Sequence, residues 1–511
     1  MADSETTGAG GPASNQRFEV QYDGLREWLD AAREMDELAE FDGAHWDVEL
    51  GAIAEIMVRE YAEEAPAMLF DNIVDYPEGF RCLYATLNSP RRLALTLGMP
   101  TEGYTDMPEY LHTYRDRTKE IDEIPRKTVD SGPVLENVHE GDDVDLTEFP
   151  VPVHHEEDGG RYIGTADLVV TEDPDDGWVN VGTYRTQVRD EKTALSYISP
   201  GKDGRLQRDK WLDREGKAPV VIVVGHDPLI WLASTLQVPT GTSEYQYAGG
   251  LKGEPIEVIE GDMTGLPFPA DAEIVLEGYV TEEKDWEGPF GEWPGYYAGG
   301  KRLEHVFEVE KVYHRDDPIL MCSASNKPPH EHLFERCVSR SSRMWEELER
   351  AGVPDIEGVW VHEAGEGRTF NCVSINQRYA GHAVQVGTLM QHVTPARYSG
   401  RWSIVVDEDI DPTNQDEVLW AMATRVDPVR DIEIMDRTWT SKIDPTTVGQ
   451  DPESDAWFNS RIVVDATIPY EHREEFPPVA ASSDELREEI FEKWGEQMRA
   501  AVPDREPPIG R

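Results

Sequence analysis

The sequence predicts a mixed α/β fold in three parts: an α/β region over residues 17–150, a central antiparallel sheet or barrel over 151–325, and a second α/β region over 326–511. Three observations predict it. Helical periodicity dominates the first sixty residues, a period of two sets in near Thr165, and helical and strand-like segments alternate again beyond His330. With 511 residues, the chain is long enough for two or three domains of about 100–200 residues each.

Residues 1–16 are polar and glycine-containing, and are expected to form a disordered tail. Leu25, Leu29, Ala32, Met35 and Leu38 recur near helical spacing and predict a first helix, and Ala52, Ile53, Ile56 and Met57 predict a second. Residues 67–70 read as a short strand. From Thr165 onward, residues 166–171, 178–188, 194–199, 272–280 and 304–314 are strand-like. The unbroken β-branched run 220–224, closed by Gly225, predicts a strand buried on both faces. Residues 237–253 read as a long loop. Farther on, helices are expected near 333–351, 382–392 and 415–423, with strands at 359–361, 370–375 and 402–406. Ser482, followed by Glu485 ahead of Leu486 and Ile490, reads as a capping box opening a terminal helix.

Acidic residues number 102 against 48 basic ones, giving a formal charge of −54 that makes nucleic acid and anionic membrane poor partners. The 14 Trp, 13 Phe and 19 Tyr, set in regular apolar runs, argue for a packed globule rather than an acidic disordered chain. Such a surface reads as halophilic: at about 1 M salt the Debye length is about 3 Å, and the self-repulsion is screened. Cys82, Cys322, Cys337 and Cys372 show no Cys-x-x-Cys spacing and read as small buried residues in a reducing cytosol. No integral membrane segment or secretory leader is expected, because no long apolar run exists. A cytoplasmic protein is therefore expected.

Chemistry concentrates in Glu287-Gly288-Pro289-Phe290-Gly291-Glu292. Gly288, Pro289 and Gly291 interrupt regular structure, so the segment can lay backbone close to a ligand and turn two carboxylates inward. Read alone, it is more often a solvated turn. Trp286, Phe290, Trp293, Tyr296 and Tyr297 predict an apolar setting that keeps a proton available on a carboxyl group for general acid work. Arg185, in Asn180-Val181-Gly182-Thr183-Tyr184-Arg185, can clamp a substrate carboxylate with two hydrogen bonds or make a structural ion pair. Ser243-Glu244-Tyr245 offers hard oxygen donors suited to magnesium or manganese. His154-His155 and His330-Glu331-His332 lack zinc spacing and read as surface histidines. Residues 295–301 imitate a phosphate loop, but Arg302 stands where Ser or Thr is needed, and nicotinamide and serine-hydrolase fingerprints are missing.

Taken in order, these segments resemble the UbiD family of decarboxylases over nearly the whole chain, from Tyr22-Asp23-Gly24-Leu25-Arg26-Glu27-Trp28-Leu29 to at least Asp431. Other carriers are Ala67-Met68-Leu69-Phe70, the Asn180 to Arg185 segment, Gly225-His226-Asp227-Pro228, Ser243-Glu244-Tyr245 and Ala272-Glu273-Ile274-Val275-Leu276-Glu277-Gly278. They continue through the Glu287 to Glu292 segment, Gln377-Arg378-Tyr379-Ala380-Gly381-His382 and Thr424-Arg425-Val426-Asp427-Pro428.

The resemblance implies an N-terminal α/β region, a central split β-barrel domain that binds prenylated FMN, and a C-terminal α/β domain used for oligomerisation. It implies reversible, non-oxidative decarboxylation of an aromatic or α,β-unsaturated acid by Arg185, Glu287 and Glu292, with Glu292 as proton donor. Thr183, Tyr184, Arg185, Tyr197, Ile198, Ser199, Lys202 and Asp203 would line the cofactor. Asn180 and Glu244 would ligate Mn2+ or Mg2+, with K+ a further candidate ion. Family members commonly supply a histidine a little over twenty residues after that asparagine; here the window reads Gly201-Lys202-Asp203. Asp203 is expected as the third ligand, and a small slip in alignment puts Gly201 there instead. The implied partners are a small carboxylic acid substrate, a UbiX-type flavin prenyltransferase as cofactor supplier, and further copies in a homodimer or homohexamer. Carboxylation in vivo and a non-catalytic flavin-binding homologue are the alternative readings.

Overall fold

The computed structural model describes residues 18–501 except 237, 240 and 452–455. The tail expected over residues 1–16 lies outside them. The first helix, Gly24–Glu34, buries Leu25, Trp28, Leu29 and Ala32 at spacings of three and four. It stops short of the expected Leu38, because Asp36 takes a φ of 59° and turns the chain. Leu38 instead opens the strand Leu38–Asp42, which pairs in parallel with Ala67–Asp71. That strand pairs in turn with Arg81–Tyr84, and Ile319–Met321 returns from far along the chain to lie parallel to Arg81–Tyr84.

The central sheet has nine strands and antiparallel pairing. Across its main path run Tyr162–Gly164, Thr186–Val188, Thr193–Ser196, Arg302–His314, Ile274–Glu287, Lys217–Val224, Asp167–Glu172 and Val179–Gly182, while Asn137–Glu140 pairs alongside Arg302–His314. Lys217–Val224 lies between two neighbours, and Val221, Ile222, Val223 and Val224 are all fully buried, as the β-branched run predicted. Each contributes roughly 1.5–3 kcal/mol of burial. Residues 178–188 are not one strand. Val179–Gly182 ends one side of the sheet and Thr186–Val188 belongs near the other, so residues 183–185 cross between them off the ladder.

The expected loop over 237–253 contains the helix Glu244–Lys252, opened by a capping box between Ser243 and Gln246. Its Gly249-Gly250 pair hides the helix from periodicity but is needed for packing: a Cβ on Gly250 would collide with the Asp122 carbonyl and the Ile121 side chain.

The C-terminal layer is a mixed five-stranded sheet in the order Ile356–Val361, Phe370–Ile375, Trp402–Asp407, Phe458–Asp465, Ile432–Trp439. The helix Leu333–Arg350 packs on its first strand and His382–Met390 on its centre. The terminal helix Asp484–Ala500 is capped by Ser483, which accepts the Leu486 N–H, one residue later than the Ser482 and Glu485 pattern suggested. All four cysteines are buried free thiols, and no described helix is long and apolar enough to cross a membrane.

Candidate active site

The crossing at residues 183–185 puts Arg185 inside the central sheet, where the Tyr197 N–H bonds its carbonyl at 3.0 Å. Opposite stands the hairpin of Ile274–Glu287 and Arg302–His314, whose register pairs Glu287 with Arg302. Strand pairing therefore sets a second guanidinium beside the two carboxylates singled out in the sequence.

Glu287 is fully buried. Arg185 grips it with Nε at 2.7 Å and Nη2 at 3.0 Å, and the Tyr162 hydroxyl donates to it at 3.1 Å. Glu292 receives Arg185 Nη1 at 2.9 Å and Arg302 Nη2 at 2.8 Å, both on Oε1. Its Oε2 has no hydrogen bond among the described residues. Arg302 Nε lies 3.5 Å from Glu287 Oε2 as an ion pair without a hydrogen bond, and its Nη1 is buried without a hydrogen bond. Burial alone would lower the Arg185 pKa, but the charges of Glu292 and Glu287 hold it well above its ordinary value. Burial and the Glu287 charge also push the Tyr162 phenol up.

Aromatic rings frame this cluster differently from the sequence expectation. Tyr197 lies under both guanidiniums, 4.9 Å from Arg185 and 3.9 Å from Arg302, and Phe290 lies 5.1 Å from Arg185. Trp286, Tyr296 and Tyr297 point outward, with 58, 61 and 37% of their surface exposed. Glu292 therefore sits among cations, not in the apolar pocket those rings predicted. Gly299 completes the fit, since a Cβ there would collide with the Arg302 guanidinium and the Glu292 carboxylate.

The expected metal corner gathers around Tyr184. Glu244, at the start of its helix, is buried and accepts the Val181 N–H at 2.7 Å. Burial, with Asp203 adding repulsion, pushes its carboxyl up to about 7. Asn180 is buried and donates to Thr171 Oγ1 at 3.4 Å, and the charges of Glu244 and Asp203 both act on the Tyr184 hydroxyl. Asp203 is exposed and begins the helix Asp203–Glu215. The two carboxyl groups, whose charges repel, are hard oxygen donors of the kind that suits a divalent cation such as Mn2+ or Mg2+. Thr183 Oγ1 bonds Ser234 Oγ at 2.8 Å, Ile198 is buried and Ser199 accepts the Lys202 N–H through its carbonyl at 3.2 Å. Lys202 is exposed, and desolvation with neighbouring arginine charge lowers it to about 8.

The histidine pairs are not on the surface. His154 is buried with Nδ1 3.1 Å from the Tyr84 hydroxyl, and His330 is buried with Nε2 2.7 Å from Glu366. Glu331 between them accepts the Ala85 and Ala324 N–H groups at 3.1 and 2.8 Å, and burial pushes it up to about 8. They are buried or half-buried rather than solvated, and His154 Nε2 and His330 Nδ1 have no hydrogen-bond partner. Sequence reasoning missed Arg302 and Tyr162 as members of the site; the strand register is the signal that reveals Arg302.

The central sheet thus carries a buried network of two arginines and two glutamates. Three family models match the chain, for the N-terminal, Rift-related and C-terminal domains of 3-octaprenyl-4-hydroxybenzoate carboxy-lyase, over residues 29–107, 127–328 and 336–466. The pyrrole-2-carboxylic acid decarboxylase of Pseudomonas aeruginosa is 33% identical over 427 residues, covering 80% of this chain and 84% of that protein. Vanillic acid decarboxylase of Sedimentibacter hydroxybenzoicus, in its open form, superposes with a TM-score of 0.79 at 26% identity, over 94% of this chain and 100% of that one. An evolved dimeric form of the UbiD-class enzyme HmfF from Pelotomaculum thermopropionicum, in complex with prenylated FMN, gives 0.74 at 25% identity over 90% and 97%. The chain belongs to the UbiD family, and with it to the carboxy-lyases.

Proposed function

We propose that this enzyme removes carbon dioxide from an aromatic or heteroaromatic acid on prenylated FMN, with Glu292 as the proton donor. The observation that carries the assignment is the asymmetry of Glu292: two guanidiniums fix Oε1, and Oε2 is left for a substrate. When bound, prenylated FMN supplies a modified ring that takes up the electrons released as carbon dioxide leaves. Arg185 and Nη1 of Arg302 orient the substrate carboxylate, and Glu287 keeps Arg185 in place. Glu292 then delivers a proton to the carbon that lost the carboxylate and regains one from water.

Thr183, Tyr184, Arg185, Tyr197, Ile198, Ser199, Lys202 and Asp203 would hold the cofactor in the split-barrel domain. Asn180, Glu244 and Asp203 would hold Mn2+ or Mg2+, with K+ nearby, and a UbiX-type prenyltransferase would supply the flavin. The C-terminal layer would join copies into a homodimer or homohexamer; exposed Ile434 and Trp439 on the edge strand Ile432–Trp439 support this. The buried free thiols support a cytoplasmic setting, and the acidic surface supports strong salt.

Glu292→Gln tests the assignment. Carbon dioxide release from pyrrole-2-carboxylate and vanillate is expected to fall by roughly 10²–10⁴-fold while flavin absorbance is retained. Turnover within a few-fold of the parent would overturn it.

A further inference from the structure

Strand pairing sets two imidazoles on one face of the central sheet. On Asn137–Glu140, His139 stands opposite Val312, and His314 lies two residues beyond that partner, so the two histidines are diagonal neighbours. Each ring turns its Nδ1 towards a backbone carbonyl, His139 to that of Asp143 at 3.2 Å and His314 to that of Arg315 at 2.8 Å. A carbonyl only accepts, so both Nδ1 atoms carry hydrogen, and each ring when neutral keeps a bare lone pair on Nε2. Those two Nε2 atoms lie 3.3 Å apart. Lone pairs this close repel unless a cation, either a proton or a metal ion, is held between them.

The surroundings favour the metal. Two nitrogens bound to one tetrahedral zinc at about 2.0–2.1 Å stand roughly 3.3 Å apart, with their ring centroids roughly 5 Å apart. The His139 and His314 centroids are 5.2 Å apart. Glu148, closing the short helical turn Leu146–Glu148, completes the group: one ligand atom from each of the three side chains lies within 4.8 Å of the other two. Its Oε1 is buried without a hydrogen bond. A proton shared by the rings leaves that oxygen unbonded, whereas a divalent ion takes all three ligands. Burial pushes the Glu148 carboxyl up and the His314 imidazole down, and the second shift keeps His314 neutral, as a ligand must be. Phe80 and Phe149 close one side, 6.3 and 5.5 Å from the His314 ring. The His139 and Glu148 side chains stay 29 and 25% exposed and give an ion its way in.

We propose that His139, Glu148 and His314 bind a divalent transition-metal ion of the zinc class, with water in the fourth position, as a clamp that ties residues 137–148 to the strand Arg302–His314. The ligands join chain positions far apart in sequence, so the ion adds its binding free energy to the stability of the folded state. This site is separate from the corner of Asn180, Glu244 and Asp203. It lies at the opposite end of the strand from Arg302, and its two imidazoles suit zinc where that corner offers oxygen donors. It does not depend on the decarboxylase reading of Glu292.

The test titrates the full chain, stripped of metal by EDTA, with zinc chloride in about 1 M potassium chloride, which screens the acidic surface. One zinc per chain is expected to be held with two imidazoles, counted by X-ray absorption at the zinc edge. The corner of Asn180, Glu244 and Asp203 contains no histidine, so the imidazole count tells the two sites apart without any substitution. His139→Gln and His314→Gln are each expected to weaken this zinc by at least about 10²-fold and to remove the rise in melting temperature that zinc gives the parent, while Glu244→Gln leaves both unchanged. If a glutamine variant fails to fold, the parent spectrum still decides. Zinc held through oxygen alone would overturn the proposal. So would an affinity that neither histidine substitution moves, or histidine resonances of the parent unchanged by zinc, which would leave the two rings sharing a proton only.

Discussion

Glu287→Gln probes whether the buried charges act as a unit. Glu287 faces both guanidiniums of the site, and the substitution removes that negative charge from a fully buried position. Arg185 loses charged acceptors at 2.7 and 3.0 Å, and Arg302 loses the carboxylate 3.5 Å away. Unit charges about 4 Å apart interact by roughly 4 kcal/mol at an effective dielectric constant of 20. Breaking a buried pair from one side costs about 3–5 kcal/mol, and that is the expected loss of stability. A loosened Arg185 is expected to lower kcat/KM by about 10²-fold. Denaturant unfolding at fixed high salt reads the first effect and carbon dioxide release the second. Glu287→Gln/Arg302→Met removes one charge of each sign and should recover at least about 1 kcal/mol of the stability loss. A single-variant loss below about 1 kcal/mol, the range of an exposed pair, or no recovery in the double variant would refute the reasoning.

Asp167 is fully buried, and burial pushes its carboxyl up to about 8 despite the Thr186 hydroxyl at 3.2 Å. A raised carboxyl contributes stability at low pH that is lost as pH rises towards that value, so the stability of the parent relative to Asp167→Asn should fall from pH 5 to about 8 and then level off; a flat difference would count against it. Asp203→Ala should lower manganese content by elemental analysis and weaken flavin retention, and unchanged metal content would return Asp203 to the surface role its exposure allows. Thermal stability should rise between about 0.1 M and 2 M potassium chloride, as the Debye length falls from about 10 Å to below about 3 Å. A melting temperature independent of salt would remove the halophilic reading of the −54 charge.

What the sequence revealed followed from local pattern. The run 220–224 needed no knowledge of its partners to be read as a doubly buried strand, and the paired glutamates were visible because Gly288, Pro289 and Gly291 stand between them. What it concealed depended on distant pairing. Arg302 was weighed only as a defect in a phosphate loop, yet register across the hairpin sets it opposite Glu287. The helix Glu244–Lys252 was hidden because its two glycines serve contacts with residues 121 and 122, not periodicity. Residues 183–185 looked like the middle of a strand, since nothing local shows that the chain crosses a sheet there. The aromatic residues near Glu292 showed the same limit: their number was plain, but their direction depended on the hairpin.

The pairing of Ile319–Met321 with Arg81–Tyr84 has a consequence for how the protein is made. Arg81 and Asp317 lie 236 positions apart, so the N-terminal sheet waits for most of the middle of the chain before its last strand exists. At about 5–20 residues per second, synthesis leaves that edge open for on the order of 10 to 50 s. During this time the buried row of Cys82, Leu83 and Tyr84 presents an unpaired strand that can recruit a wrong neighbour. Slower growth temperature or chaperone supply should therefore raise the soluble yield more than any change in the terminal helix, and a fragment ended before Ile319 carries its own aggregation site.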